Sequence, residues 1–296
     1  MRLKSFEKHY YLMLLPGLIW IFIFKFVPMF GLIMAFQDFN PGKGVFGSPW
    51  VGLDNFIYLF QLNDSRTVFF NTAFIAVMKI ILKLIVPLLV ALMLNELRVN
   101  VLKSGIQTMV YLPHFLSWVI LAGIMLDVFA YHGPINAIIT FLGYKPILFF
   151  ARADLFPALV IGSDVWKEFG FNAVIFLAAL TAINPELYEA AAIDGANRFQ
   201  RIVYITIPGI SSIIILMAVL GLRDVLNANF DQIFNLYNPL VYSTGDIVDT
   251  WVYRMGLLQM QYGLATAFDL LKSAIAFAMI AASYFMARKF ANYNIF

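Results

Sequence analysis

The sequence predicts an all-α, polytopic membrane protein with about six transmembrane helices. Three observations predict it. Hydrophobic residues make up 62% of the 296 positions and charged residues only 12%, with a mean hydropathy of +0.82, which is far more apolar surface than a soluble core of this size needs. The apolar residues gather into about six runs long enough to cross a ~30 Å hydrocarbon core. The basic residues also fall into alternate loops between those runs.

The first run, Tyr10 to Phe36, follows Arg2, Lys4 and Lys8. It is too long for a signal peptide and no small-residue cleavage pattern follows it, so it reads as a span. The next three are Phe69 to Leu94, Thr108 to Ala130 and Leu155 to Ala182. The fifth, Gly209 to Leu222, is short as an apolar run, and its helix is expected to begin near Ile202. The sixth is Ala267 to Ala287. With the N-terminus in the cytoplasm, Arg2, Lys4, Lys8, Arg98, Lys103, Arg198, Arg201, Arg288 and Lys289 all fall inside, which the positive-inside rule favours. Both termini are then cytoplasmic. Three polar loops, roughly residues 37–68, 131–154 and 223–266, face out.

Composition also excludes functions. Cysteine is absent, so disulfides, thiolate metal sites and cysteine nucleophiles are ruled out. A net charge of +3 without a long basic run gives no footprint for nucleic acid. His9, His114 and His132 are too scattered to suggest a metal site. No second feature beside the paired carboxylates suggests a reactive centre, so no catalytic residue and no cofactor of the chain's own is expected.

The polar segment between the fourth and fifth runs, Glu189 to Pro208, reads EAAAIDGANRFQRIVYITIP. Asn184 is a good N-cap, Pro185 suits the first helical position and Gly195 suits a left-handed helix end, so residues 185–194 form a short capped helix. Ala190, Ala191 and Ala192 leave its surface nearly smooth. Such a helix can seat deeply in a groove of another protein, with Glu189 and Asp194 fixing its orientation. Arg198 and Arg201 share a face of the next segment, and Pro208 permits a new helix. From the caps alone, an ordinary loop helix with basic flanks remains open.

The order Glu189, Ala190, Ala191, then Gly195, then Ile205, Ile207 and Pro208 resembles the EAA loop of permease subunits of ATP-binding-cassette importers, with isoleucine where leucine usually precedes the proline. ELYEAAAIDGANRFQRIVYITIPG, from Glu186 to Gly209, is similar to the carbohydrate-uptake branch with the maltose-type fold. SDVWKEFGFNAVIFLAAL, from Ser163 to Leu180, and FDQIFNLYNPLVY, from Phe230 to Tyr242, resemble its LplB-like oligosaccharide and polysaccharide group. The resemblance covers the C-terminal half well and the N-terminal half by topology.

It implies a type I importer permease fold: one transmembrane domain over residues 1–296, with its coupling loop at about 183–208, in a bacterial cytoplasmic membrane. It also implies partners: a second, similar permease, two cytoplasmic ATPase subunits, an extracytoplasmic solute-binding protein, an oligosaccharide and the surrounding lipid. Glu189, Ala190, Ala191, Asp194, Gly195, Arg198 and Pro208 would form the coupling element. The chain has no GxxxxGK[ST] phosphate loop, so ATP and magnesium are expected on the ATPase subunits.

For the substrate pathway, Asp164, Lys167, Glu168 and Asn172 recur at helical spacing on the fourth span and cannot all face lipid. Asp164 and Lys167 lie roughly 12 to 18 Å from its outer end at ~1.5 Å per residue. Trp166 and Phe171 offer faces for stacking on sugar rings. An internal salt bridge of Lys167 with Asp164 or Glu168 is the competing reading. Lys79 and Lys83 share a face of the second span, while Lys25, Asp127, Asp269 and Lys272 are further charges within spans, some near enough to the interface to snorkel. The loop from Asp224 to Arg254, with Asn227, Asn229, Asp231, Gln232, Tyr242 and Tyr253, fits both sugar contact and docking of a binding protein. Lys79, Lys83 and Lys167 suggest an acidic sugar. A same-architecture permease for another solute is the alternative. A self-contained transporter would need no docking helix, and no inverted repeat is evident.

Overall fold

The computed structural model describes residues 5–97 and 99–291. Arg2, Lys4 and Arg98 therefore lie outside the described residues, as do the side chains of residues 5–8, 100, 223 and 283–291. Among the described residues there is no strand, only an isolated bridge between Gln37 and Trp50. The main helices are α1 (Ser5–Ile21), α2 (Asn63–Asn95), α3 (Asn100–Tyr111), α4 (Trp118–Val128), α5 (Phe156–Thr181), α6 (Pro185–Ile193), α7 (Ser211–Gly221), α8 (Phe230–Leu236) and α9 (Tyr262–Ala291).

Three helical stretches are long and apolar enough to cross a membrane, His9–Phe36, Asn63–Asn95 and Tyr262–Ala282, and three bent pairs raise the number to as many as six. The bends amend the sequence reading. The run predicted as a single span from Thr108 to Ala130 breaks after Phe115 and turns by 104° into α4. Its cause is local: Pro113 cannot continue the helical ladder, and Ser117 restarts it by accepting the Ile120 amide at 3.3 Å. The fifth span is helical from Arg198 to Gly209 and bends by 63° into α7. A wide π-type turn at Ile202–Thr206 precedes Pro208, as happens where the helical ladder is interrupted.

The chain divides into two compact units, residues 1–65 with 251–273, and residues 66–250 with 274–296. In the first, α1 continues through a π-type turn at Phe22–Phe26. The Asn55 amide ties the stretch after it by donating to the Ala35 and Gln37 carbonyls at 2.9 and 3.0 Å. Trp251 packs edge-on against Phe268 with ring centroids 4.9 Å apart.

Among the described residues of the second unit are two apolar clusters. One gathers Ile75, Trp118, Leu121, Phe156, Val160, Ile233 and Ile247, and the other joins Ala91 and Leu94 of α2 to Phe176, Leu177 and Leu180 of α5 and to Ile210. Buried amides fasten the polar connections: Asn136 donates to the Ala130 and Ile147 carbonyls and accepts the Ile147 amide, and Asn71 donates to the Ser243 and Asp246 carbonyls, both at 3.2 Å. Each of these bonds gives a loop backbone group the partner that burial would otherwise deny it.

Helices α3 and α5 approach closely at Gly170, where a Cβ would run into the Val110 carbonyl. Gly170→Ala is therefore expected to force the helices apart at a cost of about 1–3 kcal/mol, read as a lower melting temperature of the purified protein. Gly162→Ala on the same helix, where a Cβ meets nothing within 4 Å, should leave the melting temperature unchanged.

Candidate translocation cavity and coupling segment

The polar stripe of the fourth span becomes the wall of a cavity of about 640 Å³, lined from α5 by Asp164, Glu168 and Asn172. One helical turn separates each from the next, which is why this set shares a face. From α2 come Lys79 and Lys83, also one turn apart, and from the segment after α7 come Asp224, Asn227, Asn229 and Asp231. Cavities of this size suit ligands, within the usual ~300–1,000 Å³.

Charge organises the wall. Asp164, 1% exposed, receives Lys83 Nζ at 2.6 Å and lies 3.7 Å from Lys79 Nζ. Lys79 is itself buried and is held by the Ala228 carbonyl at 2.7 Å and by Gln232 Oε1. Gln232 Nε2 in turn donates to the Val160 carbonyl at 2.7 Å and Ser163 Oγ at 2.8 Å, so the group that seats Lys79 is fixed by α5. Asn229 caps α8 from a left-handed backbone conformation, φ 72°, and its amide reaches Asp164 at 3.4 Å. A non-glycine residue there stores strain, a pattern that concentrates at functional sites.

Lys167 departs from the predicted stripe. It is buried and turns toward the break between α3 and α4, donating to the His114 carbonyl at 2.7 Å and Glu168 Oε1 at 3.0 Å. His114 Nδ1 meets Glu168 Oε2 at 2.8 Å, and the His114 ring stacks on Phe171 at 4.0 Å. Of the two internal pairings expected for Lys167, the structure has Glu168, and Asp164 pairs with α2 instead. Trp166 does not join the polar cavity. It lies 48% exposed beside an apolar groove lined by Leu121, Met125, Phe129 and Leu159, because one residue's offset on a helix turns a side chain by about 100°. Tyr253, a residue of the first unit, ends the short helix Val248–Tyr253 and is half-buried.

The segment after α5 is built by caps. Asn184 accepts the Glu186 amide at 3.0 Å, Pro185 opens α6, and Asp194 closes it. Gly195 takes φ 79°, which lets the Ala196 amide reach back to the Ala191 carbonyl at 2.9 Å, the closure typical of a left-handed helix end. Asn197 and Gln200 then cap the next helix reciprocally, both bonds at 2.8 Å. Tyr188 anchors α6 through a 3.0 Å hydrogen bond to the buried Thr206. Glu189, Ala190, Asp194, Gly195, Arg198 and Pro208 are exposed, and Ala191 is half-buried. Leu187, Ile193 and Phe199 expose 52%, 87% and 74% of their surface.

His114 was not distinguished by the sequence, because its partner stands fifty-four positions away. Lys79 and Lys83 stand out in the sequence as charges in an apolar span, but nothing local names Asp164 as their counter-ion.

Residues 83–228 match the family model described as "Binding-protein-dependent transport system inner membrane component". Among curated proteins, the chain is 38% identical over 291 residues to the polygalacturonan/rhamnogalacturonan transport system permease protein YteP of Bacillus subtilis, covering 98% of this chain and 91% of that one. It is 40% identical to Protein LplB of the same organism, covering 98% and 92%. Among solved structures, it superposes with TM-score 0.88 and 36% identity, over 96% of each chain, on a chain of a bacterial ABC transporter involved in the import of the acidic polysaccharide alginate. A second structure of such a transporter, in complex with an alginate pentasaccharide-bound periplasmic protein, matches at TM-score 0.87 and 35% identity, over 96% of this chain and 95% of that one. A helical chain with apolar spans, a charged cavity within them and a capped EAA segment, matched end to end by such relatives, belongs to the binding-protein-dependent inner-membrane permeases of ATP-binding-cassette importers, in their carbohydrate-uptake branch.

Proposed function

We propose that this permease imports an acidic oligosaccharide through the cavity between α2, α5 and the segment before α8. The observation that carries this reading is a charged, amide-lined cavity inside otherwise apolar helices, with the Lys83 side chain partly exposed on its wall. Buried charge is too costly in a membrane to persist without use. Support for the sugar class comes from the relatives, one named for polygalacturonan and rhamnogalacturonan transport and others for import of alginate. Glu168, Asn172 and Asp231 are the wall residues proposed to meet the hydroxyls of passing sugar, while the buried Asp164 is proposed to act through its pairs with Lys79 and Lys83. Lys167 acts by holding Glu168 in place, and no role on the pathway is assigned to Trp166 or Tyr253.

The motor is proposed to be separate. Two cytoplasmic ATPase subunits, carrying ATP and magnesium, grip the α6 segment of this chain and its equivalent in a second, similar permease. An extracytoplasmic binding protein delivers the sugar. Both termini then lie in the cytoplasm, consistent with the placement of Arg198, Arg201 and Lys103 on the α6 side of the spans by the positive-inside rule. ATP-driven closure of the ATPases would move α6 and bias a two-state opening of the cavity.

The test is uptake by proteoliposomes containing the full complex and its binding protein. ATP-dependent entry of trigalacturonate, exceeding that of the uncharged galactotriose, is expected. Entry of galactotriose alone would refute the acidic-sugar reading.

A further inference from the structure

We propose that Lys83 is the residue of this chain that reads a sugar carboxylate, with Asp164 as the counter-ion it holds while the cavity is empty. This rests on the acidic-sugar reading above and goes beyond it by naming the group that discriminates. Two ammonium groups and one carboxylate meet between α2 and α5, so the cluster carries an excess positive charge. Its two lysines are not equivalent. Lys79 is 3% exposed and is held by the Ala228 carbonyl and Gln232 as well as by Asp164. The Lys83 side chain is 32% exposed on the cavity wall, and Asp164 is the ion-pair partner it shows.

That asymmetry permits an exchange. When a sugar carboxylate enters, Lys83 can leave Asp164 for it, one ion pair replacing another. Asp164 is not stranded, because Lys79 at 3.7 Å and the Asn229 amide at 3.4 Å remain beside it. A neutral sugar offers Lys83 no equivalent anion, so it gains nothing from breaking the pair and discrimination follows. The strained backbone of Asn229 keeps that second donor over Asp164. Nearby carboxylates do not cancel the effect. Glu168 is engaged by Lys167 and His114, while the exposed Asp224 and Asp231 repel a polyanion and shorten its stay, as passage requires.

The experiment is equilibrium binding of trigalacturonate and galactotriose to the nanodisc-embedded complex, trapped with ATP and vanadate in the absence of binding protein, so that only the cavity selects. The quantity read is the ratio of the two affinities. The unsubstituted complex should prefer trigalacturonate. Lys83→Gln should reduce that preference at least tenfold, Lys83→Arg should keep it within about threefold, and Asp164→Asn, which frees Lys83, should raise it. A preference unchanged in Lys83→Gln would overturn the proposal while leaving the acidic-sugar reading standing. A loss of the same size in Lys83→Arg or in Asp164→Asn would assign the pair a purely structural role and likewise overturn it. An unsubstituted complex without any preference for trigalacturonate would remove both readings together.

Discussion

Asp164→Ala is expected to reduce the amount of assembled transporter in membranes several-fold. Asp164 is almost fully buried between two ammonium groups, and removing one partner of a buried pair costs more than the pair itself contributes, because an uncompensated charge remains. Here the penalty falls at the lower end of the usual range, about 3 kcal/mol. Lys79 keeps the Ala228 carbonyl and Gln232, and Lys83 can turn toward water. The diagnostic is the double substitution Asp164→Ala with Lys79→Met. Once the stranded cation is gone, much of the loss should be recovered, a coupling that a thermal-unfolding double-mutant cycle reads directly. Strictly additive losses would mean that the two residues do not share one electrostatic site.

Gly195→Val should abolish coupling while leaving the protein inserted, lowering uptake and ligand-stimulated ATP hydrolysis together by at least tenfold. The left-handed φ of 79° is disfavoured for any side chain by about 1–2 kcal/mol, and a β-branched residue is among the least tolerant. No atom lies within 4 Å of a Cβ placed there, so the damage comes through the backbone: the turn that returns the Ala196 amide to Ala191 opens and α6 loses its end. Gly195→Asn, which accepts the left-handed conformation more readily, should keep most of the transport. Equal losses in Val and Asn would place the fault in surface contact at this position rather than in the turn's geometry.

The segment proposed to couple to the motor was legible in the sequence because its structure is made by neighbours. Asn184 with Glu186 and Gly195 after Asp194 are capping interactions within a few residues, and residue type alone specifies them; the reciprocal cap of Asn197 and Gln200 is equally local but emerged only in the structure. The spans were legible for a similar reason, since a bilayer selects length and apolarity. Their breaks were less so. The apolar run from Thr108 to Ala130 continues across Leu116, so hydropathy hides the 104° turn, and only Pro113 and Ser117 signal it.

The cavity was legible as charges in the wrong place and illegible as pairs. Asp164 finds Lys83 eighty-one positions earlier, a match set by how α2 packs on α5. The same packing turns Lys167 away to Glu168 and the His114 carbonyl, and leaves Trp166 beside an apolar groove. A helical stripe identifies which residues share a face to within about one position, and one position decided the fate of both side chains.

If an external motor grips this chain at α6, a single thiol will reveal it. Ile193 is 87% exposed at the end of α6, and the chain has no native cysteine, so Ile193→Cys labelled with a benzophenone maleimide places one photoreactive group at the proposed contact. Irradiation of transport-competent complex should give an adduct with an ATPase subunit, with a yield that changes when ATP is bound. An adduct with the extracytoplasmic binding protein, or no ATPase adduct from a complex that still transports, would rule out a motor contact at α6.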